Sequence, residues 1–280
     1  MTHENRKLIF LDIDGTLTSS FNHIPQSARR VCRRARENGH LLYIATGRTR
    51  EQIPPSIPAM GFDGIISSAG ARIETGGELI FSAFLPPSLL DRLIAYMDER
   101  DAPYLLENPG KIAANPRYFF PLSSGTFKWT PRGIISRLFL RRLQNSIAPL
   151  SAGFDREKVY KLVFRESERL CFEDVEREFR EECDLFRFSI PLPIKGGGEI
   201  TSAGVNKGTA LELVARFHGM RLEDTIAFGD SDNDRPLLAH AGIGIAMGNG
   251  DEALKQSADD VTGHVARGGL AAAFKKYALA

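Results

Sequence analysis

Two aspartates one residue apart, Asp12 and Asp14, follow the apolar run Leu8-Ile9-Phe10-Leu11 and precede Gly15-Thr16. Far along the chain a second acidic group, Asp230-Ser231-Asp232-Asn233-Asp234, follows the apolar stretch Thr225 to Phe228 and Gly229. Carboxylates brought close together repel unless a cation or a shared proton neutralises them. Several carboxylates around one hard divalent cation suit Mg²⁺, which prefers oxygen ligands and keeps several waters. Asp230, Asp232 and Asp234 also have the spacing of a calcium loop. That loop needs glycine next and a bidentate glutamate at its twelfth position. Arg235 and Ala241 stand there instead. Two further residues could hold an anion. Thr46 offers a hydroxyl beside Gly47, whose small size lets backbone N–H groups approach a ligand. Lys207 stands at the start of a helical pattern, where an ammonium adds to the positive end of the helix. Each feature alone has an ordinary reading: a turn, a solvated acidic loop, a helix start, a surface lysine. Their combination is what points to chemistry.

The surrounding elements would bring these residues together. The run before Asp12 reads as a buried strand bounded by a turn signal. Pro25 to Glu37 reads as a helix with Gly39 as its C-terminal cap. Leu41 to Ala45 and Gly64 to Ser67 are further short strands. Alternating strands and helices imply right-handed crossovers and a parallel sheet. In an open sheet of that kind, ligands bind beyond the carboxyl ends of the strands. Asp14 would point away from Asp12 in a regular strand. A turn at Asp14-Gly15 lets its carboxylate curl back.

The middle of the chain changes character. Leu89, Leu90, Leu93, Ile94 and Met97 have helical spacing. Strand patterns follow over Tyr104 to Glu107, Lys111 to Ala114, Val159 to Phe164 and Leu185 to Ile190. Helical patterns cover Arg132 to Asn145 and Glu166 to Glu182. Pro191-Leu192-Pro193 and Gly196-Gly197-Gly198 read as loop or hinge punctuation. After them the α/β rhythm returns, with a helix over Lys207 to His218 and strands over Thr225 to Phe228 and Ile243 to Met247. The partition is a discontinuous α/β, Rossmann-like parallel-sheet core, 1–83 and 195–280, with an inserted α+β domain over 84–194.

The bulk properties exclude several classes. The formal net charge of +1 gives no global field for nucleic acid or a membrane surface. No apolar run approaches the roughly 20 residues that span a bilayer. The polar first residues lead directly into the first strand, so a cytoplasmic protein is expected. Cys32, Cys171 and Cys183 are few, scattered and odd in number, which speaks for reduced structural thiols. Lys128, Arg132, Arg137, Arg141 and Arg142 form a basic run that reads first as a solvated helix face.

Taken in order, Asp12-Ile13-Asp14-Gly15-Thr16, Thr46-Gly47-Arg48, Lys207 and Gly229-Asp230 through Asn233-Asp234 resemble the four motifs of the haloacid dehalogenase-like superfamily of phosphohydrolases. Only 34 residues separate Asp12 from Thr46, whereas 161 separate Thr46 from Lys207. This spacing is similar to the Cof-like branch, whose α+β cap domain lies between the second and third motifs. The resemblance implies a phosphatase of small phosphorylated metabolites such as sugar phosphates, with Mg²⁺ as cofactor. It implies Asp12 as nucleophile, carried through an aspartyl-phosphate, and Asp14 as general acid and base. Thr46, Gly47, Lys207 and Asn233 would hold the phosphoryl group. Mg²⁺ would sit on Asp12, the Asp14 carbonyl, Asp230 and Asp234. The partner is then a small molecule, not nucleic acid or membrane, and the protein a monomer or weak homodimer. A phosphomutase of the same fold and a non-catalytic phosphometabolite sensor are the alternatives. Three positions depart from the family pattern: Ala69 where asparagine is usual, Arg235 where an apolar residue is commoner, and His264 to Gly269 in place of an Asn-Glu-Asp-Gly-like run.

Overall fold

The computed structural model describes residues 6–19, 22–118, 147–151, 153–187 and 196–280. In chain order the first segment holds β1 (Leu8–Leu11), α1 (Gln26–Glu37), β2 (Leu41–Ala45), β3 (Gly64–Ser67), β4 (Arg72–Thr75) and β5 (Glu78–Ser82). The middle holds α2 (Pro87–Glu99), β6 (Tyr104–Asn108), β7 (Lys111–Ala114), β8 (Ala148–Pro149), β9 (Lys161–Arg165), α3 (Phe172–Phe179), β10 (Cys183–Arg187) and β11 (Gly197–Ser202). The last segment holds α4 (Lys207–Phe217), β12 (Thr225–Gly229), α5 (Arg235–His240), β13 (Ile243–Ala246), α6 (Glu252–Ser257), β14 (Asp260–Val261) and α7 (Gly269–Lys276). These form two compact units, one of Met1–Ala83 with Gly204–Ala280 and one of Phe84–Ala203.

The discontinuous unit is a doubly wound sheet in the order β14-β13-β12-β1-β2-β3-β4-β5. Its central strands are buried on both faces, so they read as continuous apolar runs rather than alternating ones. Ile9, Leu11, Leu42, Ile44, Ile226 and Phe228 face a layer that includes Ala28, Cys32 and Ala35 of α1 and Leu270 and Phe274 of α7. Leu8, Phe10, Tyr43, Ala45 and Ala227 face the other layer, with Leu211 and Val214 of α4, Leu237 of α5 and Leu254 of α6. The strands from β14 to β3 run parallel, as the alternation predicts. The last two, β4 and β5, add an antiparallel hairpin at the edge. Its polar residues hide it from a search for apolar runs. Its turn, Gly76-Gly77, needs φ of +59° and +88°, which glycine adopts without strain.

The inserted unit is a six-stranded sheet in the order β10-β11-β9-β6-β7-β8. All its pairs are antiparallel except β7 with β8. Leu89, Leu90, Leu93 and Met97 of α2 and Phe172, Val175 and Phe179 of α3 pack on Tyr104, Leu106, Leu162, Phe164 and Ile200.

Two sequence expectations are corrected here. Gly197 and Gly198 belong to a strand, not a hinge, so this unit extends to Ala203 and the boundary expected after residue 194 moves. A Cβ at Gly198 would lie 2.6 Å from the Phe172 ring, so the glycine serves close strand-to-helix packing. The helix expected from Glu166 to Glu182 is limited to Phe172–Phe179. Glu166 lies outside it and accepts from the Phe172 N–H at 3.1 Å, while Asp174 closes the same end on the Cys171 N–H. The expected helix over 132–145, the basic run over 128–142 and the Pro191-Leu192-Pro193 punctuation lie outside the described residues.

Candidate active site

The register of the larger sheet places the acidic motifs side by side. Leu11 pairs with Phe228 on one side and Ile44 on the other. The residues that follow, Asp12, Asp230 and Thr46, therefore leave the sheet at one edge, beyond the carboxyl ends of β1, β12 and β2. After Asp12 the chain turns tightly. The Leu17 N–H donates to the Asp12 carbonyl and the Thr18 N–H to the Ile13 carbonyl. Gly15 takes φ of +84°, and a Cβ there would lie 2.0 Å from Asp230 Oδ2. Only glycine lets that carboxylate lie against the turn. Thr16 Oγ1 donates to Asp230 Oδ1 at 3.0 Å. Asn249, after β13, donates to the Gly15 carbonyl at 2.8 Å and accepts from the Val265 N–H, which ties the turn to the following loop.

Lys207 is the centre of the site. It opens α4, whose first turn is capped by Asn206 accepting from the Gly208 and Thr209 N–H groups at 2.9 and 3.0 Å. Gly208 lets α4 approach α5, since a Cβ there would lie 2.4 Å from the Pro236 carbonyl oxygen. The Lys207 ammonium is 1% exposed and donates to Asp12 Oδ1 at 2.8 Å, Asp234 Oδ1 at 2.6 Å and Asn233 Oδ1 at 3.1 Å. The other oxygen of Asp234 accepts from the N–H groups of Asp230 and Ser231, so Asp234 also shapes its own loop.

One ammonium does not neutralise three carboxylates. Burial pushes the Asp12 carboxyl up to about 7, with Asp234 and Asp14 adding repulsion and Lys207 opposing it. Burial, then Asp12 and Asp234, push Asp230 up to about 9. Burial disfavours the Lys207 ammonium, but Asp12 and Asp234 more than offset this and raise its pKa. Asp12, Asp230 and Asp234 each offer a ligand oxygen, all within 4.8 Å of one another. An oxygen-only, acid-rich set with surplus negative charge fits a hard divalent cation.

The remaining expected residues are placed as follows. Thr46 is buried at the end of β2, and its hydroxyl accepts from the Arg48 N–H at 3.2 Å. Gly47 occupies the bend between them. Asp14 lies within the turn that follows Asp12, its side chain 61% exposed and paired with Arg48. Ala69 holds a left-handed φ of +58° at the end of β3, beside Ser68 at +48°. Arg235 pairs with Asp232, and His264 caps a short turn by accepting from the Ala266 N–H. Arg48, Asn22 and Asn249 were not singled out by their sequence context. Arg48 stands in a motif quoted for its threonine, and lone asparagines carry no signal until the fold brings them to the turn.

Comparison with known proteins agrees with this geometry. The family description "haloacid dehalogenase-like hydrolase" matches residues 9–274. The chain is 28% identical over 279 residues to the putative phosphatase YkrA of Bacillus subtilis (strain 168), covering 98% of each chain. It is 26% identical to 5-amino-6-(5-phospho-D-ribitylamino)uracil phosphatase YitU of the same organism, covering 96% of this chain and 97% of that one. Among solved structures, the HAD subclass IIB sugar phosphatase BT4131 superposes with a TM-score of 0.79 at 26% identity, covering 98% of this chain and all of that one. Sheet order, motif placement and family match agree, and the chain belongs to the haloacid dehalogenase-like hydrolases, of the Cof-like kind.

Proposed function

We propose that this enzyme is a Mg²⁺-dependent phosphatase of small phosphate monoesters, sugar phosphates among them, acting through an aspartyl-phosphate on Asp12. The observation that carries this reading is the buried Asp12 carboxylate, held by Lys207 within ligand reach of Asp230 and Asp234. Asp12 attacks phosphorus, forming an oxygen–phosphorus bond as the bond to the substrate alcohol breaks. Asp14 gives its proton to the departing oxygen, as a general acid does. In the second half a water oxygen bonds to phosphorus, Asp14 takes a proton of that water, and the Asp12–phosphorus bond breaks. Splitting one difficult displacement into two is the advantage of a covalent intermediate. Thr46, the backbone at Gly47, Lys207 and Asn233 hold the phosphoryl oxygens, and positioning with charge neutralisation does most of the work in such transfers. Asp12, Asp230, Asp234 and the Asp14 carbonyl are the residues that would hold Mg²⁺. When bound, Mg²⁺ supplies positive charge between a carboxylate nucleophile and an anionic ester.

The substrate class rests on the phosphatase names of the relatives and on the sugar phosphatase among the structural neighbours. A cytoplasmic monomer or weak homodimer that acts on small molecules is part of this proposal, and the net charge of +1 gives no global field that would draw nucleic acid or a membrane surface. Among the described residues no helix is long and apolar enough to cross a membrane.

The test is phosphate release from a panel of sugar phosphates and an aryl phosphate, with Mg²⁺, with EDTA, and with Asp12→Asn. Release that needs Mg²⁺ and disappears in Asp12→Asn is expected. A folded, Mg²⁺-binding protein that releases phosphate from none of them would move the reading to a mutase or a binding protein.

A further inference from the structure

Asp14 is placed in a different way from Asp12. Arg48 grips it with a two-point fork, Nε to Oδ2 at 2.7 Å and Nη2 to Oδ1 at 2.5 Å. The same Nη2 donates to Asn22 Oδ1 at 2.6 Å, and Nη1 to the Gln52 carbonyl at 3.4 Å. The backbone of Arg48 is fixed as well. Its N–H donates to Thr46 Oγ1, and its carbonyl accepts from the Ser68 N–H at 2.8 Å. Asn22 holds a left-handed φ of +59°, a conformation asparagine tolerates better than most residues. An Arg–carboxylate fork fixes the plane of the carboxyl as well as its distance. Without it, an aspartate this exposed would exchange among its staggered rotamers.

We propose that Arg48, steadied by Asn22, is a positioning residue that fixes the Asp14 carboxyl for proton exchange with the leaving oxygen and then with water. This inference rests on the phosphatase reading above. In the first half the proton passes from Asp14 to the alcohol oxygen as that oxygen's bond to phosphorus breaks and the Asp12–phosphorus bond forms. In the second half the proton of the attacking water returns to Asp14. Arg48 holds the group in register for both transfers and makes no bond to phosphorus.

The experiment compares kcat and KM of wild type, Arg48→Ala, Arg48→Lys, Asp14→Asn and the double variant Arg48→Ala/Asp14→Asn, all with Mg²⁺. Two substrates are used: the best sugar phosphate of the panel, and p-nitrophenyl phosphate, whose leaving group departs without a proton. Arg48→Ala is expected to lower kcat/KM for the sugar phosphate about 10- to 100-fold, a large part of what a general acid contributes. The loss on p-nitrophenyl phosphate is expected to be several-fold smaller, because kcat/KM reports the first transfer. The double variant is expected to match Asp14→Asn within about threefold, as residues acting as a unit do. Arg48→Lys keeps the charge but not the fork, so it is expected to recover only part of the loss. It carries the test should Arg48→Ala fail to melt as a folded protein. Losses that multiply in the double variant, equal losses on both substrates, or a raised KM with unchanged kcat would overturn the inference, since each describes an arginine that contacts substrate itself. A wild type inactive on every phosphate ester would overturn the phosphatase reading and this inference with it. An active wild type with multiplying losses would overturn this inference alone.

Discussion

At Gly15 a single missing methyl group decides whether Asp230 can reach the cluster. The backbone there has φ of +84°, and the space a Cβ would fill is held by the Asp230 carboxylate. Gly15→Ala therefore carries two penalties. A left-handed conformation costs a non-glycine residue roughly 1–2 kcal/mol. The second falls on the carboxylate, which must swing away from Asp12 and Asp234. We expect Gly15→Ala to lose about that much stability and to bind Mg²⁺ more weakly. Mg²⁺ titrations followed by melting temperature measure both effects. In wild type a cation bound at 100 times its Kd adds about 2.7 kcal/mol to the folded state. The variant should show a smaller gain at the same Mg²⁺ concentration. An equal gain would show that Asp230 is not a ligand. The same scale explains which site residues could be read in advance. Asp12 and Lys207 stand in runs whose types and order are informative. Asn249 acts on the Gly15 carbonyl from 234 residues away, a pairing visible only after folding.

At the scale of elements, helix α4 is the part that delivers Lys207. A fully buried ammonium is costly unless its partners are in place, so the start of this helix must be well defined. Asn206 provides that by satisfying the N–H groups of Gly208 and Thr209. Gly70 makes room for it, since a Cβ at Gly70 would lie 2.3 Å from the Asn206 carbonyl oxygen. Replacing Asn206 by alanine leaves two donors without their side-chain acceptor. Loss of such a cap costs about 0.5–2 kcal/mol. Asn206→Ala should fall in that range by urea denaturation and should lower kcat, because Lys207 is the next residue. A variant with unchanged kcat would mean that packing of α4 alone holds the lysine. The strand ends next to it carry strain. Ser68 and Ala69 both hold positive φ between β3 and β4. Such conformations persist where surrounding structure fixes them, and they gather at functional sites. Here the Ala69 N–H is held by the Thr46 carbonyl and the Ser68 N–H by that of Arg48, which ties the strained turn to the second motif.

For the molecule as a whole, the larger unit has its sheet covered on both faces and holds two partly buried imidazoles, His40 just before β2 and His218 at the end of α4. Burial lowers the pKa of His40 from its ordinary 6.5, with Lys7 and Arg6 adding to the effect. Its Nδ1 accepts from the Lys7 N–H at 3.0 Å, which needs a lone pair. Burial likewise lowers His218, which meets the Tyr43 hydroxyl at 2.7 Å. A histidine depressed in the folded state binds fewer protons there than in the unfolded chain. Its stabilisation is therefore complete above about pH 6.5 and is lost as pH falls toward the lowered value. Asp12 and Asp230 are raised, so protonation favours the folded state and their effect has the opposite sign. The informative quantity is thus the difference between wild type and a His40→Gln/His218→Gln variant, measured by denaturation at pH 7.5 and 5.5. Wild type should lose more stability than the variant over this interval. Equal changes would show that neither imidazole is held neutral.

The order of motifs, the presence of an inserted α+β unit and the acidic, phosphate-directed character of the site were all legible in the chain itself. They depend on short runs of residues whose period and type act locally. Buried strands betray themselves as apolar runs, and carboxylates placed just after them must emerge at one edge of a parallel sheet. What only the tertiary structure decided depends on contacts between distant residues. The pairing of Asp14 with Arg48, the close approach of Phe172 to Gly198 and the hairpin at the sheet edge are of this kind. So is the crowding that pushes Asp12 and Asp230 upward, because repulsion and desolvation arise only when the fold brings those carboxylates out of water and within reach of one another.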